Sequence, residues 1–144
     1  MDNIPKGFNP VDASQPFGAL IGPIYYWFND EDLESDEWLL GFRVEKRHCN
    51  RIGGCHGAMT FSFIDMVSGQ IAAEKQLGPV ITVSLQADFI RPIKFDDWVT
   101  GKSKLLWQRD DNLYIETEIY VKNRIVATSS SHWKQIRKRP SFFK

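Results

Sequence analysis

A chain of 144 residues, 42% of them apolar, has the size of one domain and enough apolar material for one core. Its 18 Lys and Arg balance 18 Asp and Glu, so it lacks the basic footprint that nucleic-acid phosphates demand. No run approaches the roughly 20 apolar residues of a membrane span, and no basic-then-apolar leader is read at the start. A cytoplasmic protein is therefore expected, with Cys49 and Cys55 as thiols rather than a disulfide framework.

Residues 1–37 read as an N-terminal arm, packed on the domain or on a partner subunit, and 38–144 as the domain proper. Pro5, Pro10, Pro16 and Pro23 punctuate the arm, and the aromatic run 24–28 is either a short strand or a helical turn. The acidic stretch 29–37 reads as a solvated loop or helix start. TrpLeuLeuGlyPheArgVal at 38–44 predicts a strand that ends in a polar, glycine-bearing loop at 45–54. Residues 56–77 are long, free of proline and apolar nearly all round, which predicts a helix buried on most sides. Strict alternation over 80–90 predicts a strand with Ile81, Val83, Leu85, Ala87 and Phe89 on one face and Thr82, Ser84, Gln86 and Asp88 on the other. Further strands are expected at 98–108, 113–121 and 125–133, joined by turns at 109–112 and 122–124. One buried helix followed by an antiparallel meander is an α+β arrangement, with the sheet wrapped round the helix.

Asp65 is the only ionisable side chain between His56 and Glu74, set among Phe63, Ile64, Met66 and Val67. A carboxylate there is costly unless it is used or satisfied, the structural candidates being Ser62 and Ser68. At the other end of the segment, HisGly at 56–57 follows the GlyGly of 53–54. Glycine at a helix start lets a ligand approach free backbone N–H groups, whose dipole suits a carbonyl oxygen gaining negative charge. His56 then either adds a hydrogen bond to that oxygen or caps the helix. Nine residues separate His56 from Asp65, about 13–14 Å along a helix axis and roughly half a turn round it. If the two act on one substrate, they come from different subunits across a two-fold axis.

AsnArgIleGlyGlyCysHisGlyAla at 50–58, Asp65 and ThrValSerLeuGlnAlaAspPheIleArgPro at 82–92 resemble the PaaI-like acyl-CoA thioesterases of the hotdog-fold superfamily. The resemblance spans about residues 38–136. It implies a long central helix wrapped by a curved antiparallel sheet, dimers that often pair into tetramers, active sites at the subunit interface, and hydrolysis of acyl-CoA. By position it implies that the Gly57 N–H, helped by His56, polarises the carbonyl, and that Asp65 is base or nucleophile. It also implies that Asn50 orients the water or thioester and that Thr82 assists Asp65. Ala58 stands where the family commonly has a second glycine. No cofactor and no metal are implied; the pattern formed by His48, Cys49, Cys55 and His56 matches no zinc spacing.

Other residues carry two readings. Cys55 beside His56 is a small packed residue rather than a nucleophile, since no orienting third group accompanies it. His132 is read as structural, and the 24–28 aromatics, Phe61, Phe63 and Trp107 as core or interface. Arg91, Lys94, Arg124 and the 137–139 basic tail are solvated charges or contacts to CoA phosphates. Two rival functions share the fold: an acyl-thioester hydratase or dehydratase, and a non-catalytic acyl-CoA binding module.

Overall fold

The computed structural model describes residues 3–28, 38–75 and 78–137, which leaves the acidic stretch and most of the basic tail outside the described residues. In chain order the elements are β1 (Asn9–Pro10), α1 (Pro16–Ile21), β2 (Tyr25–Phe28), β3 (Trp38–Arg43), α2 (Gly57–Lys75), β4 (Val80–Phe89), β5 (Trp98–Arg109), β6 (Asn112–Val121) and β7 (Arg124–Gln135). The strands form one antiparallel sheet in the order β1-β2-β3-β5-β6-β7-β4. The long helix α2 packs on β4, β5, β6 and β7, giving the α+β hotdog arrangement that the resemblance implied.

Local chemistry explains the meander. Lys122 and Asn123 both have positive φ (48° and 63°), the signature of a two-residue hairpin whose twist matches its flanking strands. Inward positions alternate along β6 from Leu113 to Ile119 and along β5 up to Leu105, so Val99, Leu113, Ile115 and Ile119 are buried under the helix. Phe42 of β3 and Phe63 of α2 meet edge to face at 4.7 Å between ring centroids. Gly101 of β5 lies where the helix comes closest, since a Cβ there would stand 2.7 Å from Val67 Cγ2 and 2.9 Å from Ile119 Cδ1. The aromatic run is strand, not helix: β2 extends the sheet beside β3, and Ile24 and Tyr25 enter the core.

Two expectations need correction. The helix is not buried nearly all round within one chain: Phe63, Ile64 and Val67 are covered, whereas Phe61 is 41% exposed and Ala58 and Ala73 are open. The sheet covers one side of α2 and α1 leans on another through Gly18 against Met66, and no described residue covers the side around Phe61. The alternation of β4 is also broken. The register against β7 slips between Thr82 and Ser84, a β-bulge that leaves Val83 without a cross-strand partner. Val80 and Thr82 therefore join Leu85, Ala87 and Phe89 on the helix-facing side, and Ile81 and Val83 leave it.

Candidate active site

Asp65 sits midway along α2 and is half-buried. Neither serine satisfies it: the Ser62 hydroxyl donates to Ala58 O (2.8 Å) and that of Ser68 to Ile64 O (2.9 Å), one helical turn back. Instead the Thr82 hydroxyl donates to Asp65 Oδ1 at 2.7 Å, a short charge-assisted bond. The bulge makes this contact, because unbroken alternation would have turned Thr82 to the opposite face. Asp65 Oδ2 has no hydrogen-bond partner among the described residues, and Asp65 lines a cavity of about 620 Å³. Met66, Gly69, Gln70 and Ala73 of α2 form one wall of that cavity, and Val80 and Trp133 close one end. The opposite wall is residues 10–24, the arm itself.

The arm is held there by the loop before α2. Arg47 donates to the carbonyl oxygens of Leu20 (3.3 Å) and Gly22, at the end of α1. His48, between these in reach, bonds Ile21 O through Nε2 at 2.8 Å. Its Nδ1 accepts the Glu45 N–H at 3.0 Å, so Nε2 carries the proton and the ring is neutral. Burial holds the His48 pKa below the usual imidazole value, with the Ile21 carbonyl bond opposing that shift.

At the start of α2, His56 is the cap: its Nδ1 accepts the Ala58 N–H at 3.0 Å, while its carbonyl accepts those of Met59 and Thr60. Capping through Nδ1 places the ring proton on Nε2, which is exposed and has no acceptor among the described residues. The Gly57 N–H likewise has none. Capping and donating are thus compatible roles for one imidazole. Asn50 is committed on one side, since its Oδ1 accepts the N–H groups of Ile52 (3.1 Å) and Gly54 (3.2 Å) and so shapes the loop. Only its amide N–H₂ remains for another partner.

Phe89 connects this helix start to the basic residues, because a Cβ at Gly57 would stand 3.9 Å from Phe89 Cζ. Two residues on, Arg91 lines a hollow of about 560 Å³ together with Lys122 and Arg124. Of the three basic residues singled out in the sequence, Arg91 and Arg124 are brought together. Lys94 stands apart, its backbone bridged to Gly54 and bonded to Asp97 Oδ2 at 2.8 Å. Lys122 was missed because LysAsnArg reads as a turn; its nearness in sequence to Arg124 was the available signal. His132 stacks on Tyr114 (4.5 Å) and bonds Asn112 at 2.9 Å, a structural role.

A long helix packed on a single antiparallel sheet defines the hotdog fold. The chain belongs to the thioesterase superfamily, whose sequence model matches residues 52–128. Over 132 residues it is 26% identical to the Pseudomonas aeruginosa protein named "Putative esterase PA0474", covering 90% of this chain and 96% of that one. Among solved structures it is similar to the PaaI protein from the phenylacetic acid degradation operon of E. coli, with a TM-score of 0.73 and 20% identity over 85% of this chain and 86% of that one. It is also similar to a hexameric broad-specificity acyl-coenzyme A thioesterase, with a TM-score of 0.66 and 21% identity over 68% and 78% of the two chains.

Proposed function

We propose that this protein hydrolyses acyl-CoA thioesters to free acid and CoA in the cytoplasm, at sites completed by a second copy of the chain. The observation that carries the reading is the Asp65 carboxylate, oriented by Thr82 and opening on a largely apolar cavity of about 620 Å³. Such a cavity accommodates an acyl chain beside the group that attacks or activates its carbonyl.

The helix start supplies the complementary half. A thioester carbonyl oxygen that accepts from the Gly57 N–H and from His56 Nε2–H is stabilised as it gains negative charge. Asp65 takes the proton of the attacking water, or attacks the carbonyl carbon itself to form an anhydride that water then opens. Either route breaks the C–S bond and releases the CoA thiolate. Asn50 offers its amide N–H₂ to the thioester or the water. Arg91 and Arg124, with Lys122, form a cationic hollow beyond Phe89 that suits the CoA phosphates. Residues 10–24 of the N-terminal arm wall the acyl cavity.

Within one chain Gly57 and Asp65 are eight residues apart on one helix, about 12 Å along its axis. One substrate atom cannot meet both. The bare side of α2 around Phe61 and the edge strand β4 offer the surface for a second copy. Ile81 and Val83 on that strand are 46% and 51% exposed, and an edge of ten residues that no other described strand pairs is a template for another strand.

The test is a panel of saturated and 2-enoyl acyl-CoA substrates read with a thiol-reactive dye. Thiol release from saturated substrates is expected, and Asp65→Asn should lower turnover at least about 100-fold with the fold intact. Loss of enoyl absorbance without thiol would favour a hydratase. Binding without turnover would favour a carrier module. Unchanged turnover in Asp65→Asn would overturn the catalytic assignment.

A further inference from the structure

Cys49 and Cys55 face one another across an isolated antiparallel bridge at the base of the loop that carries Asn50. Two flanking hydrogen bonds define the kind of pair they make: His56 N–H to His48 O at 2.7 Å and Asn50 N–H to Gly54 O at 2.8 Å. Bonds outside the pair rather than within it mark a non-hydrogen-bonded position, where facing Cα atoms approach to about 4.5 Å and side chains share one face. Both residues are half-buried and pack against the same core cluster, as that geometry requires. Disulfides form between Cα atoms about 4.4–6.8 Å apart. The thiols have only weak partners to give up, since Cys49 Sγ lies 3.5 Å from Glu45 O and Cys55 Sγ accepts from Thr60 Oγ1 at 3.7 Å.

We propose that Cys49 and Cys55 are a modification site, closing to a reversible intrachain disulfide by exchange with a low-molecular-weight disulfide of the glutathione type. The thiolate of one cysteine attacks a sulfur of the small disulfide, forms a mixed disulfide and expels one small thiol. The thiolate of the other attacks the protein sulfur of that mixed disulfide, forms the Cys49–Cys55 bond and expels the second small thiol. The protein loses two electrons and two protons, and the small disulfide is reduced to two thiols. Ring closure outcompetes a lasting adduct because the second sulfur is already opposite the first. Burial pushes the Cys55 thiol up, so closure quickens as pH rises. The bond ties off the loop between Asn50 and the His56 cap, and excess small thiol reopens it.

The site can be tested on the full chain incubated with oxidised glutathione and then alkylated. Trypsin cuts after Arg47, Arg51 and Lys75, so Cys49 and Cys55 fall on different peptides, 48–51 and 52–75. The free thiols should fall from two to none. The two peptides should be recovered linked, about 2 Da lighter than their sum, while far-UV circular dichroism is unchanged. Cys49→Ser and Cys55→Ser should each give a glutathione adduct on the remaining thiol and no linked pair. Thiols that stay free, a stable double adduct, or a Cys49–Cys49 link between two copies would each overturn the proposal. None of these readouts depends on thioester turnover, so the site stands or falls separately from the role given to Asp65.

Discussion

Thr82 is bound to Asp65 by a single hydroxyl, and its own side chain is exposed, so it does more for the carboxylate's direction than for the fold. Thr82→Val keeps the branched shape and removes the donor. Turnover should fall about 10-fold or more while the urea midpoint barely moves, and Thr82→Ser should recover most of the loss. A matching fall in stability would show the pair to be structural instead. His48 makes a second prediction at this scale, in which pH sets the sign. Its folded pKa lies below its unfolded value of about 6.5, so acidification protonates the unfolded chain first. Stability is therefore full above about pH 6.5 and is lost as pH falls from there toward the lower folded value. The loss is at most about 1.4 kcal/mol per pH unit for this one group. Denaturant titrations between pH 7 and 5 should show that slope, and His48→Gln should flatten it.

Among the elements, β5 and α2 are the most tightly matched, because Gly101 admits Val67 and Phe63 where any larger residue would meet them. Gly101→Ala should cost about 1–3 kcal/mol through overpacking. In a domain of this size that lowers the melting temperature by about 2–12 °C, measurable by calorimetry. The helix and the four long strands were legible in the sequence because length, alternation and turn residues all agree there. The face of Thr82 was not. Its neighbours alternate without a break, and the bulge at Val83 is a feature of pairing with β7 that one strand's pattern does not record. The clamp on the arm was equally hidden, since Arg47 and His48 act on the carbonyls of residues 20–22 rather than on any side chain. Asp65, Gly57 and His56 stood out from the start because a lone carboxylate and a glycine-led helix are local anomalies. Arg91 and Arg124 stood out only as charges, and the fold supplied Lys122 beside them.

For the molecule as a whole, the decisive quantity is which chain's helix start meets which chain's carboxylate. The proposed site takes Gly57 from one copy and Asp65 from the other, and this predicts complementation between two inactive variants. Gly57→Pro removes the N–H at the first helical position, where proline's fixed φ is tolerated, and leaves Asp65 intact. Asp65→Asn removes the carboxylate and leaves the helix start intact. Unfolded together and refolded as a 1:1 mixture, they should form mixed dimers in half of the assemblies, each with one fully native site and one doubly defective site. Turnover should return to about a quarter of the unmutated level, where each variant alone shows almost none. A site contained in one chain allows no such recovery, because no subunit would then hold both groups. A mixture that stays inactive, with mixed dimers verified by mass, would end the cross-subunit reading.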